Sequence, residues 1–283
     1  MTRGTDASPV DSELFDIELR LLLEAVYLRY QHDFRRYAMS SLRRRVRQAM
    51  AQLGHEHLAQ LQHAVLHDAT QFARLLQVLT VHVSEMFRDP DQFLAIRRHV
   101  VPELRTYPSV KVWIAGCSRG EEVWSLAVLL HEEQLLERTL IYATDIDPEA
   151  LAAAEAGVYP LEHAAPFSRN YQAAGGTASL SDYFTAGYGG IVFDRRLRRQ
   201  VVFADHSLAT DAVFSEVHLV SCRNVLIYFD ASLQDRAVGL FHDALVRRGF
   251  LGLGHRETLR FGAFAEAFEP LPLGKDVRLY RKR

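Results

Sequence analysis

Gly116, Gly120, Glu121 and Glu122 stand together in the stretch Ala115-Gly-Cys-Ser-Arg-Gly-Glu-Glu122, and Asp145-Ile-Asp147 follows further on. Glycines in such a turn let the backbone approach a ligand, and a helix starting behind them presents unpaired N–H groups. The spacing is G-x-x-x-G, not the G-x-G-x-x-G of dinucleotide sites. Glu121 and Glu122 suit a helix N-terminus electrostatically, but they would repel a pyrophosphate at the same amides. The ligand expected here carries an amine or a positive charge and no phosphate. Asp145 ends a second apolar run, where a doubly wound fold hydrogen-bonds ribose hydroxyls. Gly116, Glu121 and Asp145 together call for an adenosine with a cationic tail, which describes S-adenosylmethionine.

The elements that must hold these groups are readable around them. Val110 to Ala115 is a buried-type strand, and the helix behind the turn continues through Leu126, Leu129 and Leu130. Leu140 to Thr144 is a second strand, and Pro148 opens a helix to Ala156. Val217 to Asn224 is another buried strand, so Arg223, Asn224 and then Tyr228 are expected at the same crevice as Gly116 and Asp145. A helix from about Ser232 to Val246 follows, then the strand Gly249 to His255, and Val277 to Tyr280 reads as an edge strand. Between these parts the rhythm breaks: Gly190–Phe193 and Arg199–Phe203, separated by the basic run Asp194–Arg198, suggest a small antiparallel insertion.

Ahead of the α/β part, Leu14, Ile17, Leu21 and Leu22 give one helical stripe, and Leu42, Val46, Met50 and Leu53 give another, ended by Gly54. Further stripes run through Leu58, Leu61 and Val65 and through Phe72, Leu75 and Leu79. The expected organisation is a polar tail at 1–13, a helical domain at 14–79, a joint at 80–98 and an α/β domain at 99–283 with its insertion at about 180–204. The joint, Val81 to Phe93, is too polar for a core strand and too apolar for a free linker. It is expected to fold over a site, with Asp89-Pro90 opening the next helix.

Composition narrows the function classes. A content of 48% hydrophobic residues in 283 supports a real core, and no apolar run approaches the ~18 residues that span a bilayer. Cys117 and Cys222 form no C-x-x-C pair and the N-terminus lacks a signal-peptide core, so a cytoplasmic protein is expected. No metal site is expected: His63 and His67 are spaced i, i+4 but lack two further ligands nearby. The net charge of -2 hides a local field, because Arg35, Arg36, Arg43, Arg44, Arg45 and Arg47 fall in one segment without an acidic residue. Such a run is either a solvated face or a docking surface for an acidic protein or a nucleic acid. Without interleaved aromatics it is poorly suited to single-stranded nucleic acid.

Taken together, Val83-Ser-Glu-Met-Phe-Arg-Asp-Pro90, Ala115–Glu122, Ala143–Asp147, Ala156–Tyr159, Ser221–Asp230 and Leu253–His255 resemble the chemotaxis receptor glutamate methyltransferases, the CheR family. The pieces occur in family order over nearly the whole chain. The resemblance implies a Rossmann-like S-adenosylmethionine-dependent methyltransferase domain of α/β class, with a mixed, mostly parallel sheet. It also implies an inserted small antiparallel β-subdomain and a preceding all-α domain. The implied reaction yields glutamyl methyl esters on the cytoplasmic helical bundle of transmembrane chemoreceptors, with S-adenosylhomocysteine as the other product. The partner implied is that receptor, without nucleic acid and without membrane insertion.

Carried over by position, the family's cofactor contacts fall on His82, Ser84, Arg88, Glu121, Asp145, Ser207, Leu208, Arg223 and Asn224, beside Gly116. His82 stands where asparagine is usual, Ser84 where threonine is and Ser207 where asparagine is. Arg88 is expected to orient a carboxylate and Tyr228 to wall the reacting methyl group, with Arg43, Arg44 and Arg47 docking the acidic receptor. The insertion looks shorter than in members that grip a pentapeptide tethered to the receptor, which implies a tether-independent enzyme. Two other classes fit the residues less well: a methyltransferase of RNA or a small molecule, and a non-catalytic module that binds S-adenosylmethionine and signals.

Overall fold

The computed structural model describes residues 9–81 and 84–283; the expected polar tail and His82 lie wholly or partly outside them. The chain divides into two compact units, one formed by residues up to Val81 together with Tyr228–Leu233, the other by His82–Ile227 and Gln234–Arg283.

The first unit is helical, with α1 (Pro9–Tyr30), α2 (Met39–Leu53), α3 (Leu58–His67) and α4 (Ala69–Leu79). Leu42, Val46 and Ala49 of α2 are buried at helical spacing, and Gly54 ends the helix at φ 76°, its N–H returning to the Met50 carbonyl. Asp68 closes α3 and caps α4, accepting the Thr70 N–H at 2.8 Å. Tyr30 stacks on Phe72 at 3.9 Å between centroids, and Tyr37 meets Phe229 edge-on at 4.9 Å.

The second unit opens with α5 (Pro90–Ala95), a single π-type turn at Ile96–Val100, and α6 (Val101–Leu104). It continues through β1 (Val110–Ala115), α7 (Glu121–Glu132), β2 (Thr139–Asp145), α8 (Pro148–Ala156), β3 (Val158–Pro160) and α9 (Ala164–Ala173). Then come β4 (Phe184–Gly187), β5 (Gly190–Phe193), α10 (Arg195–Arg198), β6 (Val201–Asp205) and β7 (Val217–Cys222). The unit closes with α11 (Ala231–Ala244), β8 (Leu245–Leu253), β9 (Phe268–Pro270) and β10 (Arg278–Lys282).

Ten strands make a seven-stranded sheet of order β6-β2-β1-β7-β8-β10-β9 and a three-stranded sheet of order β3-β5-β4. In the large sheet β6, β2, β1, β7 and β8 run parallel, and β10 is antiparallel to both its neighbours. Val112, Ile114, Ile141, Leu219 and Phe250 of these strands pack with Leu126, Leu129 and Leu130 of α7 in the main core. Each such side chain, fully buried, stabilises by about 1.5–3 kcal/mol. Trp113, of opposite alternation on β1, is buried and meets His206, Phe214 and Phe241 at 5.1–5.4 Å.

Two expectations are corrected. The run Arg199–Phe203 is not the second strand of an antiparallel insertion: Val201–Asp205 pairs in parallel with β2 and forms one edge of the large sheet. The small sheet takes its third strand instead from Val158–Pro160. The closing strand β10 is internal, because Phe268–Pro270 covers its outer side. In both cases a period-two pattern shows a strand but not its partner, since side chains alternate identically in parallel and antiparallel pairs.

Candidate cofactor site

The turn between β1 and α7 is built at the carboxyl ends of the parallel strands. Gly116 and Gly120 hold φ 73° and 89°, and Ser118 between them holds 51°. A Cβ on Gly120 would lie 2.8 Å from the Cα of Ala154 in α8, and one on Gly116 would lie 2.5 Å from a Val225 methyl. Glycine is therefore required by conformation and by space at both positions. β2 closes the turn: the Thr144 carbonyl accepts the N–H groups of Gly116 and Cys117 at 2.8 and 2.9 Å. The Asp145 carboxylate accepts the Ser118 and Asp147 amides at 2.8 and 3.1 Å. From β3, the Tyr159 hydroxyl donates to the Arg119 carbonyl at 2.8 Å.

Glu121, Asp145 and the half-buried Glu122 line the turn, and the first two are nearly inaccessible at 4% and 8% exposure. A carboxylate has about four acceptor positions. Asp145 places both its oxygens on backbone amides of this turn and of the start of α8. A concentration of carboxylates beside a glycine cradle fits a ligand with hydroxyls and a positive charge and disfavours a phosphate. S-adenosylmethionine meets that description. The residues after β6 adjoin the same strand end, since the His206 N–H donates to the Asp145 carbonyl at 3.2 Å. There Leu208 is buried, and the Ser207 N–H is held by Asp211 at 2.9 Å.

The joint is locked onto α7. Met86 and Phe87 are fully buried, the Phe87 N–H donates to the Ser125 hydroxyl at 2.8 Å, and that hydroxyl donates to the Glu121 carbonyl at 2.6 Å. Arg88 sits between Phe87 at φ 50° and Asp89 at φ 54°, both in the left-handed region. Such residues cost of order 1–3 kcal/mol each and persist where surrounding contacts fix them. Ser84 lies half-buried just ahead of this lock.

Arg223 carries contacts that its place at a strand end did not foretell. Its guanidinium is buried, and both terminal nitrogens are bonded to protein groups, while Nε has no partner among the described residues. Nη1 donates to Glu122 at 3.3 Å, and Nη2 donates to the Arg88 carbonyl and, at 2.9 Å, to Asp89. Ser221 also donates to Glu122. Arg223 thus ties the end of β7 to the joint and to the start of α7, with the Phe93 ring 5.3 Å from its carbon. Asn224 follows at φ 61°. Its amide donates at 3.0 Å to Glu257, which also accepts the Gly254 amide at 2.6 Å.

Glu257 went unnoticed in the sequence. It is 4% exposed, and burial pushes its carboxyl above the ordinary value of 4.5, with the backbone amides of Gly254, Asn224, Ile227 and Leu226 pulling the other way. The available signal was a lone glutamate three residues past Gly254, behind a buried strand whose end needed an acceptor.

Tyr228 falls in the helical unit. Its carbonyl accepts the Ala38 N–H at 2.8 Å, and the Arg45 guanidinium lies 5.1 Å from its ring. The arginine helix is less free than its sequence implied. Arg43 forms a fork on Asp16 of α1, at 2.6 and 2.5 Å, and lowers that carboxyl's pKa. Arg45 donates to the Val78 carbonyl at 3.0 Å, and Arg47 lies 4.3 Å from the Phe15 ring while remaining exposed. Arg44 is exposed. Arg43 is thereby largely neutralised by Asp16, a residue outside the local run.

Residues 82–274 match the family model described as CheR methyltransferase, SAM binding domain, and residues 17–80 match CheR methyltransferase, all-alpha domain. The chain belongs to the CheR methyltransferase family. It is an S-adenosylmethionine-binding methyltransferase with an all-α domain preceding a Rossmann-like domain. Cher3 of Pseudomonas putida is 57% identical over 267 residues, 94% of this chain and 97% of that protein. Chemotaxis protein methyltransferase 1 of Pseudomonas aeruginosa is 31% identical over 268 residues, 89% and 92% of the two chains. Among solved structures, the N-methyltransferase NodS from Bradyrhizobium japonicum, in complex with S-adenosylhomocysteine, aligns at 14% identity and a TM-score of 0.40, covering 70% of this chain and 89% of that one. Among the described residues of this CheR family member, no helix is long and apolar enough to cross a membrane.

Proposed function

We propose that this CheR family protein transfers a methyl group from S-adenosylmethionine to glutamate side chains on the cytoplasmic helical bundle of chemoreceptors, forming methyl esters. The observation that carries the reading is the match of residues 82–274 to the CheR cofactor domain, over a glycine turn whose carboxylates suit this cofactor. A relative covered over most of its length bears the name of a chemotaxis methyltransferase. A substrate on that bundle sets the site of action in the cytoplasm.

The acceptor needs no general base, because a glutamate with a reference pKa of ~4.3 is ionised at neutral pH. The cofactor supplies a methyl group already activated on a sulfonium. The protein's work is in-line positioning and exclusion of water. Asp145 is assigned the ribose diol, Gly116 the close backbone approach, and Glu121 the cationic portion of the ligand. Ser84, Ser207, Leu208, Asn224 and His82 are assigned the remaining cofactor contacts. Arg88, presented by two left-handed residues, is assigned a carboxylate. Arg223 is a positioning residue that holds the backbone of Arg88. Tyr228, four residues beyond Asn224 in sequence, is assigned the wall of the reacting methyl. The helical unit is assigned receptor docking through Arg44 and Arg47, with Arg43 contributing little because Asp16 occupies it. We extend the reading to tether independence, on the brevity of the four-residue strands β4 and β5.

Methyl-labelled cofactor tests this directly. Base-labile label should appear on receptor cytoplasmic fragments and be unaffected by removal of their last residues. Label on RNA or on a small molecule would favour another methyltransferase class, and tight cofactor binding with no transfer would favour a signalling module.

A further inference from the structure

Beyond β8 the chain leaves the sheet through a strap rooted in the middle of the site. A Cβ on Gly254 would lie 2.9 Å from the backbone nitrogen and the side-chain amide nitrogen of Asn224, so the strap starts pressed against that residue. The next residue, His255, places Nδ1 3.7 Å from the Asp89 carboxylate, one residue from Arg88. Glu257 then grips the amides of Asn224 and Gly254. The strap ends on α11, where the Ala263 N–H donates to Asp235 at 2.9 Å.

Between these anchors the exposure alternates. Glu257 and Leu259 are buried at 4% and 5%, while Arg256, Thr258 and Arg260 are exposed. Phe261 follows at 94% exposure. Neither Arg256 nor Arg260 makes an ion pair among the described residues, unlike Arg43, Arg97 and Arg223. Two guanidiniums without carboxylate partners and an exposed aromatic ring stand side by side on one short segment, and arginine and large aromatic side chains are enriched at protein-binding hot spots.

We infer that the strap 255–261 is a substrate-gripping element, in which Arg256 and Arg260 pair with acidic residues flanking the methyl-accepting glutamate and Phe261 seats in an apolar gap of the same protein surface. This rests on the receptor reading above and deepens it by naming the contact beside the site. Charge complementarity commits the partner to an acidic protein. A nucleic acid fits less well, because Glu121, Glu122 and Asp145 would repel phosphates brought to the crevice. Fixing the root through Asn224 and Asp89 while leaving the outer side chains free would couple acceptor position to cofactor position.

The test uses the full-length enzyme and cytoplasmic fragments of receptors encoded in its own genome, with initial methylation rates measured against fragment and cofactor concentration. The double variant Arg256→Glu with Arg260→Glu should raise KM for the fragment about tenfold, Phe261→Ala should raise it about threefold, and KM for the cofactor should stay within about twofold. The double lysine variant should keep most of the activity, and the wild-type rate should fall with salt more steeply than that of the glutamate variant. An unchanged fragment KM in the glutamate variant would overturn the inference, as would equal loss of cofactor binding, which marks a structural strap. Loss of binding to single-stranded RNA with receptor methylation intact would overturn it in favour of nucleic acid. If the wild type labels no receptor fragment while binding cofactor, the receptor reading itself fails and takes the strap's partner with it.

Discussion

Two turns at the carboxyl ends of neighbouring strands meet the same backbone demand by different means. After β1, Gly116 and Gly120 supply two left-handed conformations with no side chain to accommodate, and Ser118 between them supplies a third. After β7, Asn224 adopts φ 61° with its side chain in place, braced by the buried carboxylate of Glu257 and preceded by the buried guanidinium of Arg223. The first turn carries its glycines in its own sequence and is closed by Thr144 and Asp145 of β2. The second is imposed by groups that arrive from elsewhere, and the strain it holds is fixed only while those groups remain. A glycine cradle suits a ligand that must lie against backbone, and a braced turn suits one where side chains must keep a direction.

If that contrast is right, adding a side chain to the first turn should do the greatest damage. Gly120→Ala combines a left-handed penalty with a clash into the backbone of α8, and should cost about 3 kcal/mol in denaturant unfolding as well as most cofactor binding by calorimetry. An alanine variant with wild-type stability would show that the cradle has room. Next in size, Arg223→Met leaves the half-buried Glu122 and Asp89 without the Arg223 cation. Arg223 is a positioning residue that holds the joint, so its loss should lower kcat while leaving cofactor affinity within about threefold. A large loss of affinity with kcat unchanged would instead make Arg223 a ligand contact.

Glu257→Gln should cost about 1–3 kcal/mol, since a carboxamide brings donors toward amides that need an acceptor. This difference should depend on pH. Because burial raises the Glu257 carboxyl above 4.5, the folded state holds its proton more tightly than the unfolded chain does. The stabilisation linked to that proton is full below 4.5 and is lost as pH rises through the folded value. The advantage of wild type over the glutamine variant in thermal unfolding should therefore shrink from pH 4 upward. An advantage that grows with pH would reverse the assignment. The smallest effect is expected from Asn224→Gly, which relieves the left-handed strain and should raise stability by no more than about 1 kcal/mol while weakening catalysis.

The difference between the turns is also the difference between what could and could not be read in advance. The turn at Gly116 and Gly120 and the strand ending at Asp145 were legible because a glycine pair or a strand-end acid has a local meaning in a βα unit. The helices behaved likewise: Leu42 and Val46 at helical spacing, with Gly54 as the stop, describe α2 as it stands. Arg223 stands at a strand end, where ligands sit, and its protein contacts are a separate matter. Its partner Asp89 lies 134 residues away, so the competing claim on its charge was invisible. Arg43 was expected to dock an acidic partner, and its bond to Asp16, 27 residues before it, was invisible for the same reason.

The amino-acid order by itself determined the family motifs, the glycines of the first turn, and most helices and strands, because these depend on residues within a few positions of one another. Only the tertiary structure decided which strand Val201–Asp205 joins, which arginines are spent on carboxylates and which stay exposed, and that Glu257 braces Asn224. Pairing of charges and of strands is set by distances between segments that local pattern does not encode, and those distances exist only once the core has closed.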